Sequence, residues 1–385
     1  MWVRFPPTLY NQSTGVKHVQ TRTIGVRAAV NRAAKTAGVA LIAVMFVSCS
    51  APTQEPPPPW DAANPLKSLP TPPLGTDIDF AALAEPPTPE RVRLGRWLFY
   101  DTRLSGDGTL SCASCHRPEH AFSEPTPVSA GIRGQKGTRK APTFINQAIT
   151  VYPHFFWVGR ASSLEDQALG PIANPIEMGN SHDSMITPLA GIDGYARYFA
   201  DAFGSPQITK ERVARAIADY ERTRMSGNSP WDRWRRNKDQ TAVSDEVKQG
   251  HDLFFNKAAC NQCHLGGNFT DSTFHNLGIG WDPKARTFSD EGRYAVTKRQ
   301  TDRGAFKTPT IREVSRRAPY MHDGSIATLR EVVELYNRGG NKNPYLDPKI
   351  EPLHLTDAEV DALVAFMLAL DGEGYQDAAP AAFPE

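Results

Sequence analysis

Apolar side chains recur at helical spacing in several short stretches of this chain, and few stretches alternate in the manner of β-strands. The clearest predicted helices run from Thr209 to about Met225, from Thr328 to Asn337 and from Thr356 to Leu370. The last two open with capping boxes, Thr328 with Glu331 and Thr356 with Glu359, and glycines mark their ends, Gly339 and Gly372. The pattern predicts a mainly α protein.

One helical pattern occurs twice along the chain. The copies are Val92-x-x-Gly95-x-x-Leu98-Phe99 and Val247-x-x-Gly250-x-x-Leu253-Phe254. The first copy starts favourably, with Thr88 as N-cap and Pro89 in the first helical position. In each copy we expect the helix to present its Leu and Phe to a site in the loop that follows.

Each copy is followed by the run C-x-x-C-H. The runs are Cys112-Ala113-Ser114-Cys115-His116 and Cys260-Asn261-Gln262-Cys263-His264. This is the c-type haem attachment run, in which two thiols add to the haem vinyl groups and the His ligates the iron. A lone C-x-x-C is also typical of a zinc half-site or a redox dithiol, but zinc does not explain a His directly after both pairs. The sequence predicts two covalently bound haem c groups.

The haem runs and the polar stretch from Lys238 to Ser244 set the predicted domain plan. We expect an N-terminal haem domain over 76–237, a C-terminal haem domain over 238–375 and a tail over 376–385. The predicted fold is mainly α, with two cytochrome c-like haem domains packed side by side.

The fifth cysteine closes a predicted leader. The apolar run from Ala37 to Val47 is too short to span a bilayer but suits the core of a signal peptide. Cys49 then resembles a bacterial lipoprotein cleavage site, although Phe46 fits it poorly and cleavage by the ordinary signal peptidase is the alternative. We expect a signal peptide over 1–49, a Pro-rich tether over 50–75, and a periplasmic protein anchored to a membrane through lipid on Cys49.

Composition limits the partners more than it indicates a function. The formal net charge is +1 and no basic run stands out, which argues against nucleic acid as a partner. The roughly 310 residues that follow the predicted tether suffice for two domains with proper cores. Gly and Pro number 29 and 32, which fits haem domains that use the cofactor as part of their core.

Five further runs carry a family resemblance. They are Ala141-Pro142-Thr143, Phe156-Trp157-Val158-Gly159-Arg160, Leu164-Glu165-Asp166-Gln167-Ala168-Leu169-Gly170-Pro171, Asn174-Pro175-Ile176-Glu177-Met178 and Ala318-Pro319-Tyr320-Met321-His322-Asp323-Gly324-Ser325. With the haem runs, they resemble the bacterial di-haem cytochrome c peroxidases and their MauG-type relatives, over roughly Pro87 to Gly372. The resemblance implies an N-terminal haem that is the peroxide site and a C-terminal haem that relays electrons.

At the first haem the resemblance places Glu177 at the position of the family's distal acid. Gln167 and Pro171 fall at positions that line the same pocket. Peroxide must lose a proton from the oxygen that binds iron and gain one on the oxygen that leaves, and one carboxyl within reach of both can do each in turn. Without the resemblance, a Glu in a loop is usually a solvated charge or a helix cap.

Many members of the family close the first haem with a distal histidine in the resting enzyme. Aligning 131–134 with that stretch places Ile132 at the position of this His, and His120 lies too close to the attachment run to reach over the ring. We therefore predict a first haem that is five-coordinate or water-bound in the oxidised protein. Ile132 also fits plain core packing, and the prediction needs only the absence of the His.

At the second haem the resemblance makes Tyr336 the predicted sixth iron ligand. Many members carry a Met at this position, fourteen residues beyond His322, whereas MauG-type proteins carry a Tyr. A tyrosinate stabilises oxidised iron and lowers the potential of the haem. The alternative is a core tyrosine on the apolar face that it shares with Leu329, Val332 and Val333.

Trp157 falls where the resemblance places a tryptophan between the haems. An aromatic side chain there can relay an electron in two short steps instead of one long one. The neighbouring Phe155 and Phe156 also fit plain core packing, which is the commoner role of a buried tryptophan.

Two departures concern the calcium ion that family members commonly hold between the haems. The side chains at its ligand positions are Lys140 and Arg317, and neither can ligate a cation. We predict that this calcium is absent and that the two cationic side chains partly replace it.

Three functions follow from the resemblance and stay open. The first is a peroxidase that reduces hydrogen peroxide with electrons from a small cytochrome c or cupredoxin. The second is MauG-type, peroxide-dependent oxidation of an aromatic side chain on a partner protein. Tyr336 and Ile132 favour this second function, whereas Lys140 and Arg317 depart from the MauG pattern. The third is a di-haem electron carrier, but a carrier gains nothing from an exposed iron beside Glu177.

Overall fold

The computed structural model describes residues 57–149 and 154–385, so the predicted leader, Cys49 and the start of the tether lie outside the described residues. Helices make up most of the regular structure, and the strands form two short antiparallel pairs. The helices are α1 (Pro59–Ala63), α2 (Pro89–Tyr100), α3 (Cys112–Cys115), α4 (Leu164–Ala173), α5 (His182–Ala190), α6 (Asp193–Phe203), α7 (Lys210–Arg222), α8 (Pro230–Arg236), α9 (Asp245–Phe255), α10 (Tyr294–Thr297), α11 (Leu329–Asn337) and α12 (Asp357–Leu368). The strands are β1 (Phe274–Asn276), β2 (Trp281–Asp282), β3 (Thr287–Phe288) and β4 (Ala305–Lys307). The mainly α fold is confirmed, and no described helix is long and apolar enough to cross a membrane.

The three predicted helices form; α11 ends at Asn337 as predicted, whereas α7 and α12 end two or three residues earlier than the sequence indicated. α7 ends at Arg222, where the hydroxyl of Thr223 donates to the carbonyl three residues earlier and competes with a further helical turn. α12 ends at Leu368, so Gly372 lies beyond it, whereas Gly339 follows α11 with a φ of +80°. Both predicted capping boxes are confirmed at the starts of α11 and α12.

The two copies of the repeat build two equivalent helix pairs. In the first, α2 packs against α7, and a Cβ at Gly95 would overlap the carbonyl oxygen of Ala216. In the second, α9 packs against α12, and a Cβ at Gly250 would overlap the carbonyl oxygen of Ala362. The repeated glycine therefore lets two helix backbones cross in direct contact. Two cytochrome c-like domains are confirmed.

Each helix pair carries its own apolar core. Leu98 and Phe99 are fully buried in the first core and are not among the residues that line the cavity beside the first haem run, so their contact with the first haem stays a prediction. In the second core Phe254 does line the cavity beside the haem run. Trp231 of α8 also packs in the second core, although it precedes Lys238. The domain limits stay predictions.

The C-terminal tail packs on the first core. The carboxylate of Asp377 pairs with Arg96 at 2.9 Å and accepts a hydrogen bond from the hydroxyl of Tyr220 at 2.7 Å. At the chain end, the backbone N–H of Gly194 donates to the carbonyl of Glu385 at 3.1 Å. The tail therefore ties the end of the second domain to helices of the first.

Candidate haem sites

Each C-x-x-C-H run forms one tight helical turn at the edge of a cavity. Cys112–Cys115 make up α3, and Cys260–Gln262 form a single 3₁₀ turn. None of these four thiols is in a disulfide. Burial raises the pKa of Cys115 to about 11 and that of Cys260 to about 12, so the haem-free protein holds both as neutral thiols.

The two histidines of the runs are oriented by the same hydrogen bond. Nδ1 of His116 lies 3.0 Å from the carbonyl oxygen of Phe122, and Nδ1 of His264 lies 3.1 Å from that of Phe269. A carbonyl only accepts, so Nδ1 carries the proton and Nε2 keeps a lone pair for a metal. Burial lowers the pKa of both imidazoles, which favours this neutral form. This donor set fits haem iron.

A cavity of about 280 Å³ lies beside the first run. Glu177, Gln167 and Pro171 all line it, so the structure brings the predicted distal residues together with His116. Among its described lining residues, His116 is the one histidine. The side chain of Ile132 is buried against Gly179 in the loop that follows Glu177.

Glu177 reaches the first cavity from the loop after α4. The backbone N–H of Ile132 donates to the carbonyl of Glu177 at 2.8 Å and fixes this loop. Burial raises the pKa of the Glu177 carboxyl, while the guanidinium of Arg160 and a hydrogen bond with Asn174 oppose the shift. An acid whose pKa is moved toward neutrality can both take and return a proton there.

A larger cavity, about 390 Å³, lies beside the second run and is lined by Tyr336. The phenol projects from α11 into this cavity wall. Burial raises the pKa of Tyr336, so it is a neutral phenol without a metal. Met321 lines the same cavity and offers a thioether, a second candidate ligand that the sequence reasoning did not single out.

A buried imidazole beside the second cavity also fits a haem carboxylate. Nε2 of His322 is buried and has no hydrogen-bond partner among the described residues. Its ring stacks on Phe306 with a centroid distance of 3.5 Å, which holds it in place. An orphaned polar atom at a cavity wall is what a bound carboxylate would satisfy.

Trp157 lies between the two cavities and lines both. Its indole N–H donates to the carbonyl of Lys140 at 2.8 Å, and its ring centroid lies 6.5 Å from that of His322. The Trp157 side chain therefore has a fixed position between the two cavities, where the predicted electron relay between the haems would lie.

Lys140 and Arg317 are buried near each other, and both donate to backbone carbonyls. The ammonium of Lys140 bonds the carbonyl of Glu124 and lies 3.4 Å from that of Ala318, which joins the two halves of the chain. The guanidinium of Arg317 donates to the carbonyl of Thr310 at 2.6 Å. Burial lowers the pKa of Lys140 to about 8 and that of Arg317 to about 10. Carbonyl oxygens are also ligands of calcium, and the absence of that ion between the haems stays a prediction.

Two polar residues near the haem sites were missed by the sequence reasoning. Glu221 of α7 lines the first cavity with one carboxyl oxygen unpartnered among the described residues. Lys307 of β4 is half-buried beside Trp157 and donates to the carbonyl of His154 at 3.0 Å. Removal of its ammonium from solvent lowers the pKa of Lys307 to about 8. No spacing rule marks either residue.

Known proteins resemble this chain over most of its length. The family model described as di-haem cytochrome c peroxidase matches residues 89–240, and that described as cytochrome c matches residues 247–371. The methylamine utilization protein MauG of Methylorubrum extorquens is 40% identical over 75% of this chain and 80% of its own length. The cytochrome c551 peroxidase of Nitrosomonas europaea is 34% identical over 75% of this chain and 82% of its own. Among solved structures, a MauG-like protein associated with microbial copper homeostasis has 31% identity and a TM-score of 0.70, covering 83% of this chain and 98% of that one.

Proposed function

The chain belongs to the di-haem cytochrome c peroxidase family and is a peroxidase-type oxidoreductase, and we propose that it reduces hydrogen peroxide to water with electrons from a small periplasmic redox protein. In this proposal the first cavity is the peroxide site and the second relays electrons from a small cytochrome c or cupredoxin. Haem c is the cofactor that the family implies, and when bound it supplies the redox chemistry.

The observation that carries the proposal is the placement of Glu177 and Trp157. A half-buried acid lines the first cavity, and one tryptophan lines both cavities. The carboxyl of Glu177 holds a proton at the peroxide site and passes it from one oxygen to the other. An electron carrier has no use for such an acid beside its iron, so this arrangement supports a peroxidase over a carrier.

The test is steady-state oxidation of a reduced small cytochrome c by hydrogen peroxide. Glu177→Gln keeps the shape of the side chain and removes its titration, so we expect turnover to fall by about 10²- to 10⁴-fold. Glu211→Gln, on the exposed first turn of α7, is the matched control and keeps full turnover. Equal rates for wild type and Glu177→Gln would refute the role of the acid.

MauG-type oxidation of an aromatic side chain on a partner protein is the second candidate. It is favoured by the position of Tyr336 in the second cavity and by the 40% identity to a MauG protein. An anionic ligand at that haem would lower its potential and oppose electron uptake from a small donor. An oxidised state that persists for minutes after peroxide is added without a donor supports this candidate. Rapid decay that reduced cytochrome c converts to steady turnover supports the peroxidase.

Export and a lipid anchor complete the proposal. They rest on the predicted leader over 1–49 and on Cys49, which lie outside the described residues. Mass spectrometry of the mature protein tests them directly. A mature chain that begins with a lipidated Cys49 supports the anchor, and any other N-terminus without lipid contradicts it.

A further inference from the structure

Glu221 is a buried acid in the wall of the first haem cavity. It projects from α7 one turn after Ile217, which lines the same cavity. The residue is 4% exposed, and its Oε2 has no hydrogen-bond partner among the described residues. By contrast, the buried acid Asp219 on the same helix is paired with Arg91 at 2.5 Å. Glu221 therefore faces the cavity with a free polar atom.

The charges near Glu221 do not neutralise it. Arg222 follows it on α7, but its guanidinium is engaged by Glu165 of α4 at 2.8 Å and by Asp219 at 3.0 Å. Burial raises the pKa of Glu221 to about 8, with Arg222 lowering it and Glu165 raising it. Cys112 of α3 is a further neighbour, and haem attachment turns its thiol into a neutral thioether.

We propose that Glu221 is a second acid of the first haem cavity, which holds one proton and exchanges it in step with the charge on the haem bound to Cys112 and Cys115. This inference rests on the proposed function. Reduction of one hydrogen peroxide to two waters consumes two electrons and two protons. Glu177 passes a proton from one peroxide oxygen to the other and so supplies none in net terms. Glu221 supplies one of the two protons and is then reprotonated from solvent, and the other proton comes from solvent directly.

A proton held in this way couples to haem reduction. An added electron makes the haem more negative, which raises the pKa of a nearby acid and favours proton binding. In the pH range where the acid is ionised beside the oxidised haem and protonated beside the reduced haem, the reduction potential of the haem falls by about 59 mV per pH unit. This dependence of potential on pH is the slope that the experiment measures. Because burial raises the pKa of Glu221 to about 8, we expect the haem potential to vary with pH around that value and to be flat well below it.

The experiment is a spectroelectrochemical titration of the first haem in the haem-loaded protein, between about pH 6 and 10. Wild type should show the slope, and Glu221→Gln should remove it. Glu165→Gln is the matched control, because it removes a charge from the same neighbourhood without lining the cavity, and it should keep the slope. A slope that survives in Glu221→Gln, or is absent in wild type, overturns the inference.

A second variant covers failure of Glu221→Gln to fold or to load haem. Glu221→Asp retains a carboxyl but moves it away from the cavity, so the pH at which the slope appears should shift. An unchanged slope position overturns the inference. Reduced-minus-oxidised infrared spectra of wild type should also contain a protonated-carboxyl band, and its absence overturns the inference too. These titrations use no peroxide, so normal peroxide turnover without a slope refutes Glu221 alone, whereas a slope without turnover refutes the proposed function.

Discussion

Gly250→Ala should loosen the second helix pair and disturb the haem that it supports. A Cβ there would overlap the carbonyl oxygen of Ala362 and lie 2.6 Å from its carbonyl carbon. Ordinary carbon–carbon contact begins near 3.5 Å, so α9 and α12 must separate by about 1 Å. Such overpacking costs about 1–3 kcal/mol, and the better helix propensity of Ala returns about 1 kcal/mol. Because backbone atoms cannot rotate away, we expect the upper part of that range and a net loss of about 2 kcal/mol.

The two copies of the repeat allow a matched design. Leu363 and Met367 of α12 line the second cavity, so Gly250→Ala should alter the spectrum of the second haem while the first stays unchanged. Gly95→Ala should do the reverse, since its Cβ would lie 2.5 Å from the carbonyl carbon of Ala216 in the first pair.

The assay is thermal unfolding of the haem-loaded protein, followed by the absorption of each haem. Gly191→Ala is the control, because a Cβ there meets its nearest atom at 3.7 Å and the φ is −80°. It should leave stability within about 0.5 kcal/mol of wild type. A Gly250→Ala protein as stable as wild type would refute the backbone contact between α9 and α12.

Three further predictions concern single contacts. Tyr336→Phe should raise the potential of the second haem, measured by redox titration, because a hard anionic ligand is lost. The control Tyr320→Phe removes a hydroxyl that bonds a backbone carbonyl at the same cavity, and it should leave the potential unchanged. Equal potentials for wild type and Tyr336→Phe would contradict ligation. Dialysis against a calcium chelator should leave turnover and both haem spectra unchanged, because the ammonium of Lys140 binds carbonyls between the domains. Stoichiometric, tightly bound calcium in metal analysis would contradict this prediction. Asp377→Asn should cost about 1–3 kcal/mol in thermal unfolding, because it leaves the partly buried Arg96 and Arg224 without their counter-charge. An unchanged Tm would show that the tail does not support the first domain.

Much of the fold could be predicted from local sequence signals. Capping boxes, the Thr88-Pro89 start and the two C-x-x-C-H runs act within a few residues, so spacing alone reveals them. The repeated glycines could be found as a sequence pattern, but the reason why glycine is needed there could not. Gly95 and Gly250 matter because a partner helix more than a hundred positions away brings a backbone carbonyl against each of them.

The features of the site that the sequence did not reveal have one physical cause, which is that they depend on contacts between residues far apart in the chain. Leu98 and Phe99 have the spacing of Leu253 and Phe254, but the spacing does not say which face of the helix meets the haem and which meets the core. The partners of Lys140 are carbonyls, which every residue carries and no motif records. Glu221 is an acid on an otherwise apolar helix face, and only the cavity that it lines indicates a role for it.

The most direct test of the central claim is an optical and EPR titration of the oxidised, haem-loaded protein with hydrogen peroxide and no electron donor. We predict that the first haem is high-spin, five-coordinate or water-bound, and that it reacts at once, with Glu177→Gln abolishing the rapid reaction. Two six-coordinate low-spin haems that do not react until one electron is added would contradict an open peroxide site.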